Sequence, residues 1–344
     1  MDSRIMQFLI LYALAAKDGR EQTLFGTSQS AAIEAFTHSL AGASFPEVWF
    51  ELPLLGEPWL DFHALVTVDD LPSNTKFSPE VTGGHPEVFE WFANTDQRVR
   101  QLALSWDTST GTEADPAVQL LVSTSDPTVT CDFLHAAGRP DAIPSYQAFR
   151  ERIPKSWFPC YAGVFPQRPG HHLRVECIPD RERQEAYAHD ASILEADLIQ
   201  AGFRDLGSPV AERCHMLAGT PFQFELQFDI LSDGSTGSTL GASVRFGFPG
   251  DDDGPLVFDV EGAAGKLMHQ VETWDLADER WKLLGNTTFV KQIKRKGDNT
   301  DAPFFCYPAF LKLRWRDGEP LGAKAYLMAG QFIQPTRQTP DEDA

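Results

Sequence analysis

Apolar and polar positions alternate in paired runs along this chain. In FQFELQFDI, Phe222, Phe224, Leu226 and Phe228 share one parity, while Gln223, Glu225, Gln227 and Asp229 share the other. That period of two is the signature of a strand with two unlike faces. With LGASVRFGF beyond the turn residues SDGSTG, it predicts a hairpin. The same design recurs in EVWFELPLL with DFHALVTVDD around GEPW, in RQLALSWDT with AVQLLVST, in CYAGVF with HHLRVECI around QRPG, and in FLKLRWR with GAKAYLMAGQF around DGEP.

Helix-period segments separate the pairs: SQSAAIEAFTHSLAG, HPEVFEWFANTDQRV, SYQAFRERI, the long RERQEAYAHDASILEADLIQAGF with its Gly202 stop, and GAAGKLMHQVETWDLADERWKLLG. The pairs start at positions 47, 100, 160, 222 and 307, so a unit of helix and hairpin repeats along the chain. Five hairpins in series make one antiparallel sheet, and a sheet of that size tends to curl or close to remove its edges. The fold predicted is α+β: a ten-stranded antiparallel β-barrel of five helix-flanked hairpins, helices outside, with apolar strand faces turned outward and polar faces lining a lumen. Residues 1–344 then form a single domain, with a helical segment over 1–45, the barrel over 46–333 and an acidic tail over 334–344. The alternative is two stacked α+β domains divided near Pro140, with their polar strand faces in water.

Hydrophobic residues make up 42% of the 344, ample for one large core. The five cysteines are scattered and form no C-x-x-C pair, which argues against a disulfide framework or a zinc site and for a reducing, cytoplasmic compartment. The opening run IMQFLILYALAA resembles a signal-peptide apolar region, but the preceding MDSR carries no net positive charge, and a buried N-terminal element is the plainer reading. No apolar run reaches the roughly 20 residues of a membrane span. With 49 acidic against 29 basic residues the net charge is -20, a field that repels nucleic acid and anionic lipid. An anion site in this protein has to be local.

Parity supplies one. Turning the polar faces inward brings together Glu51, His63, His172, Arg174, Glu176, Glu225, Arg245, Lys312, Arg314, Lys324 and Tyr326. Enclosed cations without partners cost several kcal/mol each, so these are paired, hydrated or awaiting an anion, and a diphosphate suits them. No competing motif stands out. GAAGKLM lacks P-loop spacing, Asp251 to Asp253 lie in a Gly/Pro-rich stretch rather than on a helix, and neither a G-x-S-x-G nucleophile nor an H-E-x-x-H zinc helix is present.

Hairpins of this number and order resemble the ABBA or PT-barrel fold of aromatic prenyltransferases. The stretch FLKLRWRDGEPLGAKAYLMAGQF is similar in style to the end of the cyanobactin-type peptide prenyltransferases. The resemblance implies transfer of an isoprenyl group from an allylic diphosphate to a peptide side chain or a small aromatic acceptor. It implies Glu51 as proton acceptor or orienting residue, and diphosphate contacts from Arg174, Arg245, Lys312, Arg314 and Lys324 with Tyr326 beside them. His63 stands where the family usually has Arg or Lys on the second strand. Trp49, Trp106, Phe165 and Phe310 are the candidate rings that shield the cation and hold the acceptor. No tightly bound cofactor is implied, only magnesium as a counter-ion of the diphosphate, and no nucleic acid or integral membrane partner. The competing expectation is a non-catalytic barrel, or a two-domain α+β protein, that binds an acidic ligand or a peptide with the same basic wall.

Overall fold

Alternating strands are built here as the sequence pattern dictates, and they pair in one closed ring. The computed structural model describes residue 24 and residues 47–67, 85–95, 99–107, 116–122, 124–166, 173–203, 207–247, 258–294 and 301–331. Strands β1 (Glu47–Pro53), β2 (Asp61–Thr67), β3 (Val99–Trp106), β4 (Ala117–Val122), β5 (Trp157–Val164), β6 (Leu173–Pro179), β7 (Gln223–Ile230) and β8 (Thr236–Arg245) neighbour one another in chain order. After β9 (Phe289–Lys294), β10 (Asp301–Arg316) pairs with β8 and with β11 (Glu319–Gln331), and β11 returns to β1. The closing ladder runs from Glu47 opposite Gly330 to Pro53 opposite Lys324. Every ring pairing is antiparallel, so the expected ten-stranded barrel is present and the division near Pro140 is not.

Two features differ from the sequence reading. The eleventh strand, β9, lies outside the ring and, among the described residues, pairs only with the first part of β10, from Asp301 opposite Lys294 to Cys306 opposite Phe289. It was not anticipated, and β10 begins before Tyr307. The segment expected as one long helix after β6 is two helices, α4 (Arg181–His189) and α5 (Ala191–Gln200). Asp190 divides them: its extended backbone ends α4, and its carboxylate accepts from the Ser192 amide to cap α5. Gly202 does stop the second helix, at φ +105°.

The other described helices are α1 (Pro86–Asn94), α2 (Pro127–Ala136), α3 (Ile143–Arg152), α6 (Ser208–Ala218) and α7 (Ala263–Thr273). They explain why the apolar strand faces point out. Phe50, Leu104, Val175, Phe224, Phe228, Val244 and Leu313 are all buried in one cluster with Phe89 and Phe92 of α1, Phe133 of α2, Phe149 of α3, Leu198 of α5 and Met268 of α7. The core is therefore the layer between barrel and helices, where each fully buried large side chain contributes about 1.5–3 kcal/mol. The opposite parity is left to the lumen. The expected 1–45 helical segment, apart from buried, helical Leu24, lies outside the described residues, as do the 334–344 tail, His172 and Asp251 to Asp253. No helix among the described residues is long and apolar enough to cross a membrane.

Candidate functional site

Ten strands leave a ring wide enough for a chamber, and a cavity of about 340 Å³ lies inside it. Alternate side chains of each strand form its wall. Of the residues singled out from the sequence, Trp49, Glu51, His63, Trp106, Phe165, Arg174, Arg245, Phe310, Lys312, Arg314 and Tyr326 border this cavity. Lys324 reaches it through its contact with Glu51.

Glu51 is the centre of one half of the site. Register places it between Tyr326 of β11 and Asp61 of β2. The Tyr326 hydroxyl donates to Oε2 at 2.5 Å, Lys324 Nζ ion-pairs with Oε1, and His63 Nε2 lies 3.3 Å from Oε2. On its other side His63 Nδ1 is 2.5 Å from Ser105 Oγ, so a hydrogen-bond chain runs from β3 to β1. His63 therefore orients the carboxylate. Burial would raise the Glu51 carboxyl, but Lys324 and His63 outweigh it and hold it well below the usual carboxylate range. Burial and the Glu51 charge in turn push the Tyr326 hydroxyl far up, so it stays a donor.

The basic wall spans β8, β10 and β11. Lys312 sits directly opposite Lys324 in the ladder, a like-charge pairing that is destabilising unless neutralised. Each lysine has its own carboxylate: Lys324 has Glu51, and Lys312 Nζ is 3.6 Å from Glu176 Oε1. Lys324 is also 3.7 Å from Asp61. Arg174 makes a fork to Asp229, Nε to Oδ1 at 2.7 Å and Nη2 to Oδ2 at 3.2 Å. Burial works against that guanidinium's charge, and Asp229 overrides it. Arg245 differs. Its Cζ lies 4.7 Å above the Phe310 ring, and among the described residues it has no ion-pair partner.

Aromatic faces meet the two halves. Trp49 and Phe310 have centroids 4.9 Å apart, Phe310 and Tyr326 meet edge to face at 6.2 Å, and His63 lies 5.9 Å from Tyr326. Phe165 lies under Arg174 at 4.8 Å. Trp106 borders the cavity and also belongs to the core. It is one residue past lumen-facing Ser105, so its parity is outward, and its ring packs 5.7 Å from Phe62 in the layer beneath the helices.

Sequence reasoning missed Asp61, Ser105 and Ser243, and although it set Gln227 and Asp229 on the inward polar face it gave them no part in neutralising or orienting the wall. Parity was the available signal, since Asp61 matches His63 and Asp229 matches Glu225. It also missed Phe305 and Tyr307, which cluster with Phe310, Tyr326, Trp49 and Met328. A bulge between Pro308 and Phe310 resets the alternation there, which no period-two count can foresee.

No family model and no curated protein matches the chain. Among solved structures it is similar to the prenyltransferase PriB in its apo form, at 12% identity over 95% of this chain and 94% of that one, with a TM-score of 0.50. A 5-dimethylallyl tryptophan synthase from Streptomyces coelicolor aligns at 11% identity over 94% of each chain, with a TM-score of 0.48. The closed antiparallel ring, its outer helices and the PriB likeness together establish that this chain has the PT-barrel fold.

Proposed function

We propose that the chain is a soluble, cytoplasmic prenyltransferase that moves an isoprenyl group from an allylic diphosphate to an aromatic side chain of a peptide or to a small aromatic acceptor. One observation carries the reading: the lumen holds cations, aromatic faces and an ionised carboxylate side by side, in a chain of net charge -20.

Each part suits one stage of the transfer. Cleavage of the allylic C–O bond sends its electron pair to the diphosphate, and Arg245, Lys312 and Arg314 face the charge that develops. The allyl cation left behind is stabilised by the rings of Trp49, Phe310 and Tyr326. The acceptor's π-electrons form the new C–C bond, and the ring loses a proton to Glu51. A carboxylate held this far down is a weak base, but a protonated arene is acidic enough that position matters more than basicity. Magnesium, where present, accompanies the diphosphate as its counter-ion. The likeness of the β10–β11 sequence to cyanobactin-type enzymes supports a peptide acceptor, as in the maturation of ribosomal peptide natural products.

The test incubates the protein with allylic diphosphates of several lengths and with aromatic amino acids and peptides, with and without EDTA. A mass gain on an acceptor with release of diphosphate is the expected result. The extensive internal pairing of Arg174, Lys312 and Lys324 is what favours the second reading, a barrel that binds an acidic ligand without turnover. Saturable diphosphate binding with no product under any condition would decide for it.

A further inference from the structure

Across the lumen from Glu51 lies a second acidic feature that the transfer chemistry above leaves unused. Glu176 of β6 and Glu225 of β7 both border the cavity and are 8% and 5% exposed. Glu176 is fully engaged as an acceptor: Oε1 takes a hydrogen bond from Ser243 Oγ at 2.9 Å and faces Lys312, and Oε2 takes one from Gln227 Nε2 at 3.2 Å. Glu225 lies beside it: it is two residues from Gln227, which pairs with Glu176, and it pairs with Ser243, which donates to Glu176, while Gln223 Nε2 donates to Glu225 Oε1 at 3.3 Å. Two carboxyls that are close neighbours in a buried site cannot both be ionised cheaply, so they share one proton.

We propose that Glu176 and Glu225 form an acid pair that keeps one proton beside the donor's diphosphate, so that donor binding is linked to protonation of the barrel wall. This rests on the prenyl-donor reading above. Three other strands face the pair. Arg245 faces it from β8, Lys312 from β10 and Cys160 from β5, with Glu176 and Glu225 themselves on β6 and β7. The same two cations, Arg245 and Lys312, are among those offered to the diphosphate. In the free protein burial and the Glu176 charge push Glu225 up to about 8, against the pull of Arg245 and Lys312. A bound diphosphate neutralises those cations and adds its own negative charge, so the proton is held more tightly still. By linkage, a site that protonates more strongly when occupied binds more weakly as pH rises past the free group's pKa. One linked proton limits the effect to about tenfold in affinity per pH unit.

Two other groups near the wall titrate elsewhere. Burial pushes Glu47 up to about 7, where it accepts from Trp49 and feels Arg245, so between pH 8 and 9 it is already ionised. Burial and the two carboxyls push the Cys160 thiol well above its usual range, so it stays neutral over the same interval.

The experiment is calorimetric titration with dimethylallyl S-thiolodiphosphate at pH 7, 8 and 9, each in two buffers of different ionisation enthalpy. The wild type should take up a proton on binding at pH 8 to 9, with Kd rising several-fold between them. Glu225→Gln keeps the shape and hydrogen-bonding capacity without the titration, and should bind with no linked proton and a flat Kd over that interval. Glu176→Gln releases Glu225 from its partner, leaves it ionised among cations, and should abolish the uptake as well; it serves also if the first variant fails to fold. Equal uptake and equal pH slope in wild type and variants overturn the acid pair alone. Absence of binding at every pH overturns the donor reading and this one with it.

Discussion

At the scale of single residues, the lumen divides its cations by what already holds them. Arg174, Lys312 and Lys324 each have a carboxylate within ion-pair distance, whereas Arg245 has a ring face and no such partner among the described residues. Removing a charged hydrogen-bond donor from a bound anion costs about 1.5–3 kcal/mol, or roughly 10- to 100-fold in affinity. Arg245→Ala should therefore show the full loss in a binding assay with a non-reacting thiolodiphosphate. Lys324→Ala should show less, because the lysine is committed to Glu51 and Asp61 before the donor arrives; a larger loss for Lys324→Ala would reverse the assignment. Glu51→Gln removes the proposed proton acceptor and frees Lys324. Donor affinity should hold or improve while turnover falls by about 100-fold or more, and unchanged turnover in a single-turnover assay would remove Glu51 from the chemistry.

At the scale of elements, closure rests on β11. It is central in the ring, with Ala325 paired to Leu52 on β1 and to Leu311 on β10 and only 1% exposed. Proline there removes a ladder donor and leaves a buried carbonyl without its partner, a loss of about 1–3 kcal/mol before any steric cost. Ala325→Pro should lower the unfolding temperature, and an unaltered melting curve would mean that the β1–β11 seam contributes little. The two-residue period made these strands readable, because core packing on one face and a polar lumen on the other give every hairpin the same alternation. What stayed hidden was set by other forces. The β9 strand adds to β10 beyond the ring, and FVKQIK carries no regular apolar alternation of its own. The bulge before Phe310 shifts parity through backbone geometry. The break at Asp190 depends on a side-chain cap that competes with a helix-period pattern running straight through it. The lumen residues followed from parity, but their pairings, such as Arg174 with Asp229, depend on register between strands, and register is not written in either strand alone.

At the scale of the whole molecule, the outward apolar faces and the inward polar ones put these cations inside the ring, apart from the acidic surface. The net charge of -20 acts at long range and repels a diphosphate donor, whereas Arg245, Lys312 and Arg314 act at contact distance inside the cavity. Salt separates the two, since the Debye length shrinks from about 30 Å at 0.01 M to about 8 Å at 0.15 M and buried contacts are screened least. Association of a thiolodiphosphate donor, measured by stopped flow without divalent ions, should thus speed up as salt rises over that range. Its dissociation rate should change little. The usual result for an anion steered to a basic site is the reverse, an on-rate that falls steeply with ionic strength. Such a fall here would mean that the cationic lumen projects its field through the mouth of the barrel strongly enough to overcome the acidic exterior, and that donor capture begins outside the ring.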